Sequence, residues 1–470
     1  MTQPSMRQLW EPQNRALSVG LVLTITVVAS ESLAVITVMP VAARDLDGIG
    51  LYGWVFSAFM LTSVIGIVAA GREADRRGPA VPFGAGLVLF GTGLLMAGLA
   101  TSMVMLIAGR AIQGLGAGVV PSVAYSSIGR SLPAPLRARM IALISTAWIA
   151  PGLAGPAVSA AVARAFGWRF VFLGLVPVVA ITGSIAMPAL VRLGKAAASE
   201  ASQHRLLDAV RACAGTALVL TGLTIGFRPE GIVAAGALVA GGAIVGVPAV
   251  RRLVPPGTLT ARRGLPATVL SRGLLTFAFF GADGYVTLSV TALRHNSPLV
   301  AGLAVSGATV AWTAGAWTQA RLSGSWQARR LIRTGLALVL AGIGGMTAML
   351  LPEVPVAEGI AAWTVAGFGM GLAYSPILLL VLLQAPAGRE GRESASVNLA
   401  EVLGTAVGIG IGGAAVAASV PGRLQLGLAA AFGIAGGVGV LALLTVRRLP
   451  AGTTSGSPAA VQQAADPDRG

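Results

Sequence analysis

Fourteen long apolar segments occupy most of this chain of 470 residues, and they restrict its possible folds more than any other feature. A helix needs about 20 residues to cross roughly 30 Å of hydrocarbon at 1.5 Å per residue. The segments lie approximately at residues 16–42, 50–70, 80–100, 103–128, 140–164, 170–192, 207–227, 231–250, 267–293, 298–319, 332–352, 357–383, 396–417 and 424–446. Because they leave only short connections, the sequence predicts an all-α membrane protein with fourteen transmembrane helices and no soluble catalytic domain.

The composition agrees with a chain that lies largely in lipid. Apolar residues make up 55% of it and charged residues 11%, whereas an ordinary soluble domain is about 25% charged. The chain has one cysteine, Cys213, one lysine, Lys195, and two histidines. This excludes an intrachain disulfide and a cysteine metal cluster, and no glycine-rich P-loop precedes the lysine. We therefore expect neither a cofactor nor an enzymatic activity.

The 33 lysine and arginine residues are distributed unevenly between alternate loops. Most of them fall in the segments that are cytoplasmic if the N-terminus is inside, as the positive-inside rule requires. The sequence therefore predicts a multi-pass protein of the plasma membrane, which in a bacterium is the inner membrane, with both termini cytoplasmic. The net charge of +16 is divided among many loops, so nucleic acid is not expected as a partner.

Two basic, polar breaks divide the apolar segments into groups of six, two and six. A six-helix bundle is predicted at 16–193 and another at 265–448, with a linker at 194–264 that contains two extra transmembrane helices. A cytoplasmic N-terminal segment at 1–15 and a disordered cytoplasmic tail at 449–470 complete the chain. Repeated halves around a central cavity are typical of secondary transporters, so a small-molecule substrate is expected. We also expect a monomer surrounded by membrane lipid.

Three acidic residues lie inside apolar segments, where an isolated carboxylate is costly. Glu31 lies near the middle of the first segment, Asp283 well inside the ninth, and Glu401 near the inner end of the thirteenth. Glu31 and Asp283 are candidates for carrying a proton during transport, and a structural ion pair or polar contact is the alternative for each. Whether Asp283 or Glu401 takes part in proton coupling stays open. Arg110, deep in the fourth segment, cannot lose its proton and needs an acceptor, for which Glu31 is the leading candidate.

Several aromatic residues are candidates for contact with a substrate. Aromatic side chains near span ends usually anchor a protein at the membrane surface. Trp312, Trp363 and Tyr374 lie deeper in their segments, so we expect them to line an apolar pocket. The 64 glycines, many of them within predicted helices, favour close helix packing and can permit helices to slide past one another.

The connection between the second and third segments contains Gly71, Asp75, Arg76 and Gly78. This pattern resembles the motif Gly-x-Leu-x-Asp-Arg-x-Gly of the major facilitator superfamily, with Glu73 in place of the leucine. In that family the loop forms a cytoplasmic charge relay that controls the inward gate. The resemblance implies a gating role for the same residues here.

Two further segments carry the resemblance. Residues 106–118 are similar to the family signature Leu-x-x-x-Arg-x-x-Gln-Gly-x-Gly-x-Ala. The signature implies a proton-transfer role for Arg110, and we expect Gln113 to contact substrate. In the fifth segment, Gly155 and Pro156 match part of a motif associated with exporters, which implies a role in gating.

Glu31 lies nine residues before Pro40, where an Asp occupies the corresponding position in the fourteen-helix drug:proton antiporters. The resemblance implies the major facilitator fold and a proton-coupled secondary active transporter. Its expected activity is multidrug-type antiport, the export of lipophilic or amphipathic small molecules by alternating access. An uptake or metabolite facilitator of the same fold is one alternative, and a membrane sensor or partner protein without transport activity is another.

Overall fold

The computed structural model describes residues 10–133, 136–137, 140, 143–144, 146–147, 149–194, 203–226, 231–323, 325–386 and 389–450. Its long helices are α1 Pro12–Asp45, α2 Tyr52–Arg77, α3 Ala80–Gly98, α4 Met103–Ser131, α5 Ile149–Phe166, α6 Leu175–Arg192, α7 Gln203–Ile225, α8 Ile232–Leu253, α9 Leu265–Leu288, α10 Pro298–Leu322, α11 Ala328–Ala348, α12 Val356–Gln384, α13 Glu390–Ser419 and α14 Leu424–Thr445. A short helix, Arg169–Leu173, leads into α6, and a π-helical turn, Ser289–Leu293, extends α9. No strand occurs in the ranges just given, so the all-α prediction is confirmed.

Thirteen helices within the described ranges are long and apolar enough to cross a membrane. They correspond to every predicted segment except the fifth. The predicted fifth segment, 140–164, overlaps α5, which has 18 residues, and its first part contains positions outside the described ranges. The chain is therefore a helical membrane protein with thirteen to fourteen spans. Most of the predicted N-terminal segment, 1–15, and nearly all of the predicted tail, 449–470, lie outside the described residues.

The first six helices and the last six pack in the same order. In the first set α4 packs on α2 and α3, α1 packs on α5 and α6, and α3 packs on α6. In the last set α12 packs on α10 and α11, α9 packs on α13 and α14, and α11 packs on α14. The two sets meet along α2 with α13 and along α5 with α10, while α7 and α8 pack on each other and α7 also contacts α2 and α13.

Glycines at matching positions bring the helices of each set into close contact. A Cβ atom on Gly114 of α4 would lie 2.2 Å from the carbonyl oxygen of Phe59 on α2. A Cβ atom on Gly367 of α12 would lie 2.1 Å from the carbonyl oxygen of Ala308 on α10. Both distances are below van der Waals contact, so only glycine permits these crossings. Gly114 and Gly367 therefore occupy equivalent positions of α4 and α12. The difference between their residue numbers relates the other positions of α4 to those of α12.

Candidate transport site

Glu31 of α1 and Arg110 of α4 form an ion pair inside the first set of helices. Arg110 Nη1 donates a hydrogen bond to Glu31 Oε1, and the two side chains are 3% and 0% exposed. The glycine at position 114 brings α4 against α2 one turn away, which places the arginine between α1 and α2. A buried arginine needs an acceptor and a buried carboxylate needs a cation, so each satisfies the other.

The Arg110 guanidinium group also makes contacts with α2 and with Gln113 on its own helix. Nη1 donates to Gln113 Oε1 at 2.7 Å, and Nε lies 3.4 Å from the carbonyl oxygen of Val55. The guanidinium carbon lies 4.0 Å from the centroid of the Phe59 ring. Glu31 Oε2 and Gln113 Nε2 are buried with no hydrogen-bond partner among the described residues. Within the described residues, this cluster therefore contains one acceptor and one donor that no protein group satisfies.

Asp283 of α9 lies in the second set of helices against a neutral partner. Trp363 Nε1 of α12 donates to Asp283 Oδ1 at 2.9 Å, and Asp283 is 6% exposed. The Trp363 ring stacks on Phe279, with centroids 5.0 Å apart and an interplanar angle of 17°. No lysine, arginine or histidine makes a salt bridge or hydrogen bond with Asp283 within the described ranges.

Trp363 occupies the position in α12 that Arg110 occupies in α4. The residue-number offset that relates Gly114 to Gly367 also relates Arg110 to Trp363. Glu31 lies on α1 and Asp283 on α9, helices that hold corresponding places in the packing of the two sets. Each half thus holds a buried carboxyl group against a donor on the corresponding neighbouring helix, α4 in the first half and α12 in the second. In the first half the donor carries a positive charge, and in the second half it is neutral.

A row of aromatic rings continues from Trp363 through the second set of helices. The Phe279 ring meets Trp312 edge-on at 5.7 Å, and Trp312 meets Tyr374 at 5.2 Å. Trp363 is fully buried, whereas Trp312 and Tyr374 are half-buried. The structure therefore brings the three predicted aromatic residues together, while Gln113 lies in the other half beside Arg110.

A second ion pair joins the buried Arg272 of α9 to Glu401 of α13, whose side chain is 22% exposed. Arg272 Nε lies 3.0 Å from Glu401 Oε2, and Nη1 donates to the carbonyl oxygen of Tyr374 at 2.6 Å. The Tyr374 hydroxyl donates to Glu401 Oε1 at 2.7 Å, and the guanidinium lies over the tyrosine ring. Sequence reasoning missed Arg272 as a site residue. An arginine seven residues inside an apolar helix is the signal that could have found it, as it did for Arg110.

The predicted cytoplasmic loop after the second segment is largely helical, because α2 continues to Arg77. Glu73 faces Arg77 at 3.2 Å and Arg76 at 3.9 Å, spacings that support a helix. Gly78 ends the helix with a φ of 83°, a conformation that favours glycine. Asp75 makes no ion pair in the part of the chain that the structure describes.

Pro156 of α5 lies where the two halves meet, and Gly155 faces Leu33 of α1 in its own half. Pro156 packs against Gly302 of α10, where an added Cβ would lie 3.2 Å from the proline ring. Gly155 borders a mostly apolar cavity of about 460 Å³ between α1, α5 and the beginning of α6. None of the four predicted substrate residues, Gln113 included, borders this cavity.

Hydrogen bonds also join the halves toward the end of the bundle that the predicted topology places outside. The Tyr52 hydroxyl lies 3.3 Å from Thr287 Oγ1, and Thr287 donates to the carbonyl oxygen of Ile36 at 2.9 Å. Ser57 donates to the carbonyl oxygen of Ala406 at 2.9 Å. Helices α1, α2, α9 and α13 therefore close together at this end.

Curated relatives of this chain include drug transporters. A protein of Mycobacterium tuberculosis named as a probable multidrug-efflux transporter is 26% identical over 459 residues, which cover 93% of this chain and 97% of the relative. The multidrug transporter protein MdtP of Bacillus subtilis is 28% identical over 162 residues, covering 34% of this chain and 30% of that protein.

Solved structures share the fold at low sequence identity. The xylose transporter XylE of E. coli, in a partially occluded inward-open conformation, matches with a TM-score of 0.61 at 16% identity and covers 91% of this chain and 96% of its own. A mutant of the peptide transporter POT matches with a TM-score of 0.67 at 15% identity, covering 92% and 94%. The family profile matches residues 20–409. The chain therefore belongs to the Major Facilitator Superfamily and is a multi-pass membrane transporter, not an enzyme.

Proposed function

We propose that this transporter exports lipophilic or amphipathic small molecules in exchange for protons by alternating access. The observation that carries the proposal is the buried Glu31, one of whose oxygens is bonded to Arg110 while the other has no partner among the described residues. Multidrug-efflux relatives along nearly the whole chain support the export direction and the substrate class.

The proposed organisation is six, two and six helices in a monomer. The bundles are 16–193 and 265–448, and the linker 194–264 carries α7 and α8. The matching packing order of the two sets supports this division, as does the contact of α7 with both α2 and α13. We place the protein in the plasma membrane, the inner membrane in a bacterium, with both termini cytoplasmic and with lipid around α7 and α8.

The different partners of the two acids support the proposed proton coupling. Breaking a buried ion pair costs about 3–5 kcal/mol, so Glu31 must take a proton when a change of conformation separates it from Arg110. Asp283 faces the indole of Trp363 and has no cationic partner in the described ranges. An ionised carboxylate in such surroundings is costly, so Asp283 holds a proton whenever water is excluded. In this scheme Arg110 sets the proton affinity of Glu31, and Asp283 is the second coupling residue.

The substrate path runs between the two halves. The half-buried rings of Trp312 and Tyr374, backed by Trp363, offer an apolar surface that suits lipophilic compounds. Gln113 Nε2, a buried donor without a partner among the described residues, offers a hydrogen bond to a polar group. Apolar surface with few polar groups is the usual composition of small-molecule sites.

Gates at both ends complete the cycle. We assign the inner gate to Gly71, Asp75, Arg76 and Gly78 at the end of α2, as the family motif implies. We also assign a gating role to Gly155 and Pro156 of α5. Pro156 lies against α10, where the two halves have to move as the bundles rock, and Gly155 directly precedes it. The hydrogen bonds of Tyr52 and Thr287 hold the outer end closed in this conformation, so that substrate would enter from the cytoplasm.

The proton gradient supplies enough energy for this exchange. One proton that crosses 100 mV in exchange for an uncharged molecule gains about 2.3 kcal/mol, which sustains a concentration gradient of roughly fifty-fold. Exchange of one proton for a monovalent cation moves no net charge, so the pH gradient alone drives it. The test is transport of ethidium and Nile red by purified protein in liposomes with an imposed pH gradient. We expect gradient-driven movement for the wild type and for Glu353→Gln, a control at an exposed acid, and none for Glu31→Gln. Undiminished transport by Glu31→Gln would overturn the coupling role of Glu31.

A further inference from the structure

A pocket of about 580 Å³ lies where the α8–α9 loop meets the end of α14. Four of its seven lining residues are arginines, Arg262, Arg263, Arg447 and Arg448. The predicted topology places this end of the bundle at the cytoplasmic membrane surface. No aspartate or glutamate lines the pocket, and no described acid pairs with any of these arginines. Four positive charges therefore face one cavity without a protein counterion in the described ranges.

One arginine holds the pocket together, and the other three are free to bind. Arg448 Nη1 donates to the carbonyl oxygens of Ala261 at 2.9 Å and Thr260 at 3.2 Å, and the Gly264 amide donates to the Arg448 carbonyl oxygen at 3.2 Å. These bonds fix the loop against α14. The guanidinium groups of the remaining three arginines make no hydrogen bond or ion pair within the described residues.

An apolar surface adjoins the charged pocket. Leu444 lines the pocket itself and is 50% exposed, and Leu441, one turn earlier on the same helix, is 54% exposed. Val440 lies four residues before Leu444 and is also exposed. These side chains belong to a membrane-spanning helix, so they face lipid tails. A single ligand with an anionic head and an apolar tail would contact both surfaces at once.

We propose that this pocket binds the phosphate of an anionic phospholipid, with the acyl chains along Val440, Leu441 and Leu444. Phosphate oxygens match the planar donor groups of arginine, and basic pockets on the cytoplasmic side of transmembrane helices suit anionic head groups. Because the loop and the turn that follows α14 both contribute arginines, the bound head group would fasten the end of the inserted helix pair to the last helix. The site lies outside the proposed substrate path and does not depend on transport.

The test measures lipid binding to the purified full-length chain in detergent by native mass spectrometry. The probes are dioleoylphosphatidylglycerol, dioleoylphosphatidylcholine and inorganic phosphate. The test variant is the triple substitution Arg262→Gln, Arg263→Gln and Arg447→Gln.

The matched control for this triple variant removes the same amount of charge at three exposed arginines outside the pocket. Its substitutions are Arg192→Gln, Arg205→Gln and Arg389→Gln.

We expect the phosphatidylglycerol to bind at least about tenfold more tightly than the phosphatidylcholine, because each arginine near the surface favours an anionic lipid. The triple variant should lose this preference, and the control should keep it. The single variant Arg447→Gln, whose side chain has no bond to break among the described residues, should lose part of it and guards against misfolding of the triple variant.

Three results would overturn the proposal. Equal binding of the two lipids would exclude a specific head-group site. An equal loss in the control would assign the effect to total charge. Inorganic phosphate that binds at the pocket and displaces phosphatidylglycerol at equal concentration would show a soluble anion as the ligand and not a lipid.

Discussion

Removal of Arg110 is the sharpest test of the buried pair in the first half. In Arg110→Gln, Glu31 would stay at zero exposure but lose its cation, and the hydrogen bond to Gln113 and the contact with Phe59 would also go. Stranding one partner of a buried ion pair costs about 3–5 kcal/mol. The double variant Arg110→Gln with Glu31→Gln buries no charge, so most of that loss should be recovered. The residual loss, from neutral hydrogen bonds, should be about 1 kcal/mol.

The assay is unfolding of the purified protein in detergent, by heat and by denaturant, for the two single variants, the double variant and Arg164→Gln. Arg164 is exposed on α5, and its substitution should change stability by less than about 0.5 kcal/mol. The loss in Arg110→Gln should grow as the pH rises, because the stranded carboxyl then has to be buried in its ionised form. A double variant no more stable than Arg110→Gln, or a single-variant loss under about 1 kcal/mol, would refute the reasoning.

Two further predictions concern the second half and the helix crossings. Trp363→Arg would give Asp283 a cation, so we expect proton-driven transport to fall, together with labelling of Asp283 by a carbodiimide, which attacks protonated carboxyls. Labelling as strong as in the wild type would show that the arginine leaves Asp283 protonated, and it would contradict the prediction. Gly114→Ala would place a Cβ 2.2 Å from the Phe59 carbonyl oxygen and should destabilise the protein by about 1–3 kcal/mol, whereas Gly91→Ala, with open space around it, should have little effect in the same unfolding assay.

Much of the fold was predictable because lipid imposes local rules. An unpaired backbone group is so costly in hydrocarbon that each apolar stretch of sufficient length must form a helix. For that reason thirteen predicted segments reappear as helices in the described ranges. The predicted division into two halves rests on a different feature, the two basic, polar breaks in the sequence. The boundaries were less predictable. The second span ends at Arg77 and not near residue 70, since the side-chain pairs of Glu73 extend the helix beyond the apolar stretch.

The candidate site was predictable residue by residue but not as an arrangement. Glu31, Arg110 and Asp283 stand out because a charge in an apolar segment is rare. The partner of Asp283 is Trp363, 80 residues away, and no charge pattern points to an indole. Arg272 and Glu401 are 129 residues apart, and each looked like a residue near a span end until α9 and α13 were seen to pack together.

The sequence by itself determined that this protein is a helical membrane protein, because length and apolarity decide a membrane span within each segment. The motifs around Asp75 and Arg110 indicated its family for the same local reason. The sequence already indicated Arg110 as the cation beside Glu31, and the structure confirms that pair. Only the tertiary structure decided that the acid of the second half has an indole as its partner. A buried charge is stabilised by whatever lies within a few ångströms of it, and that depends on which helices touch, at which register, across long separations in the chain.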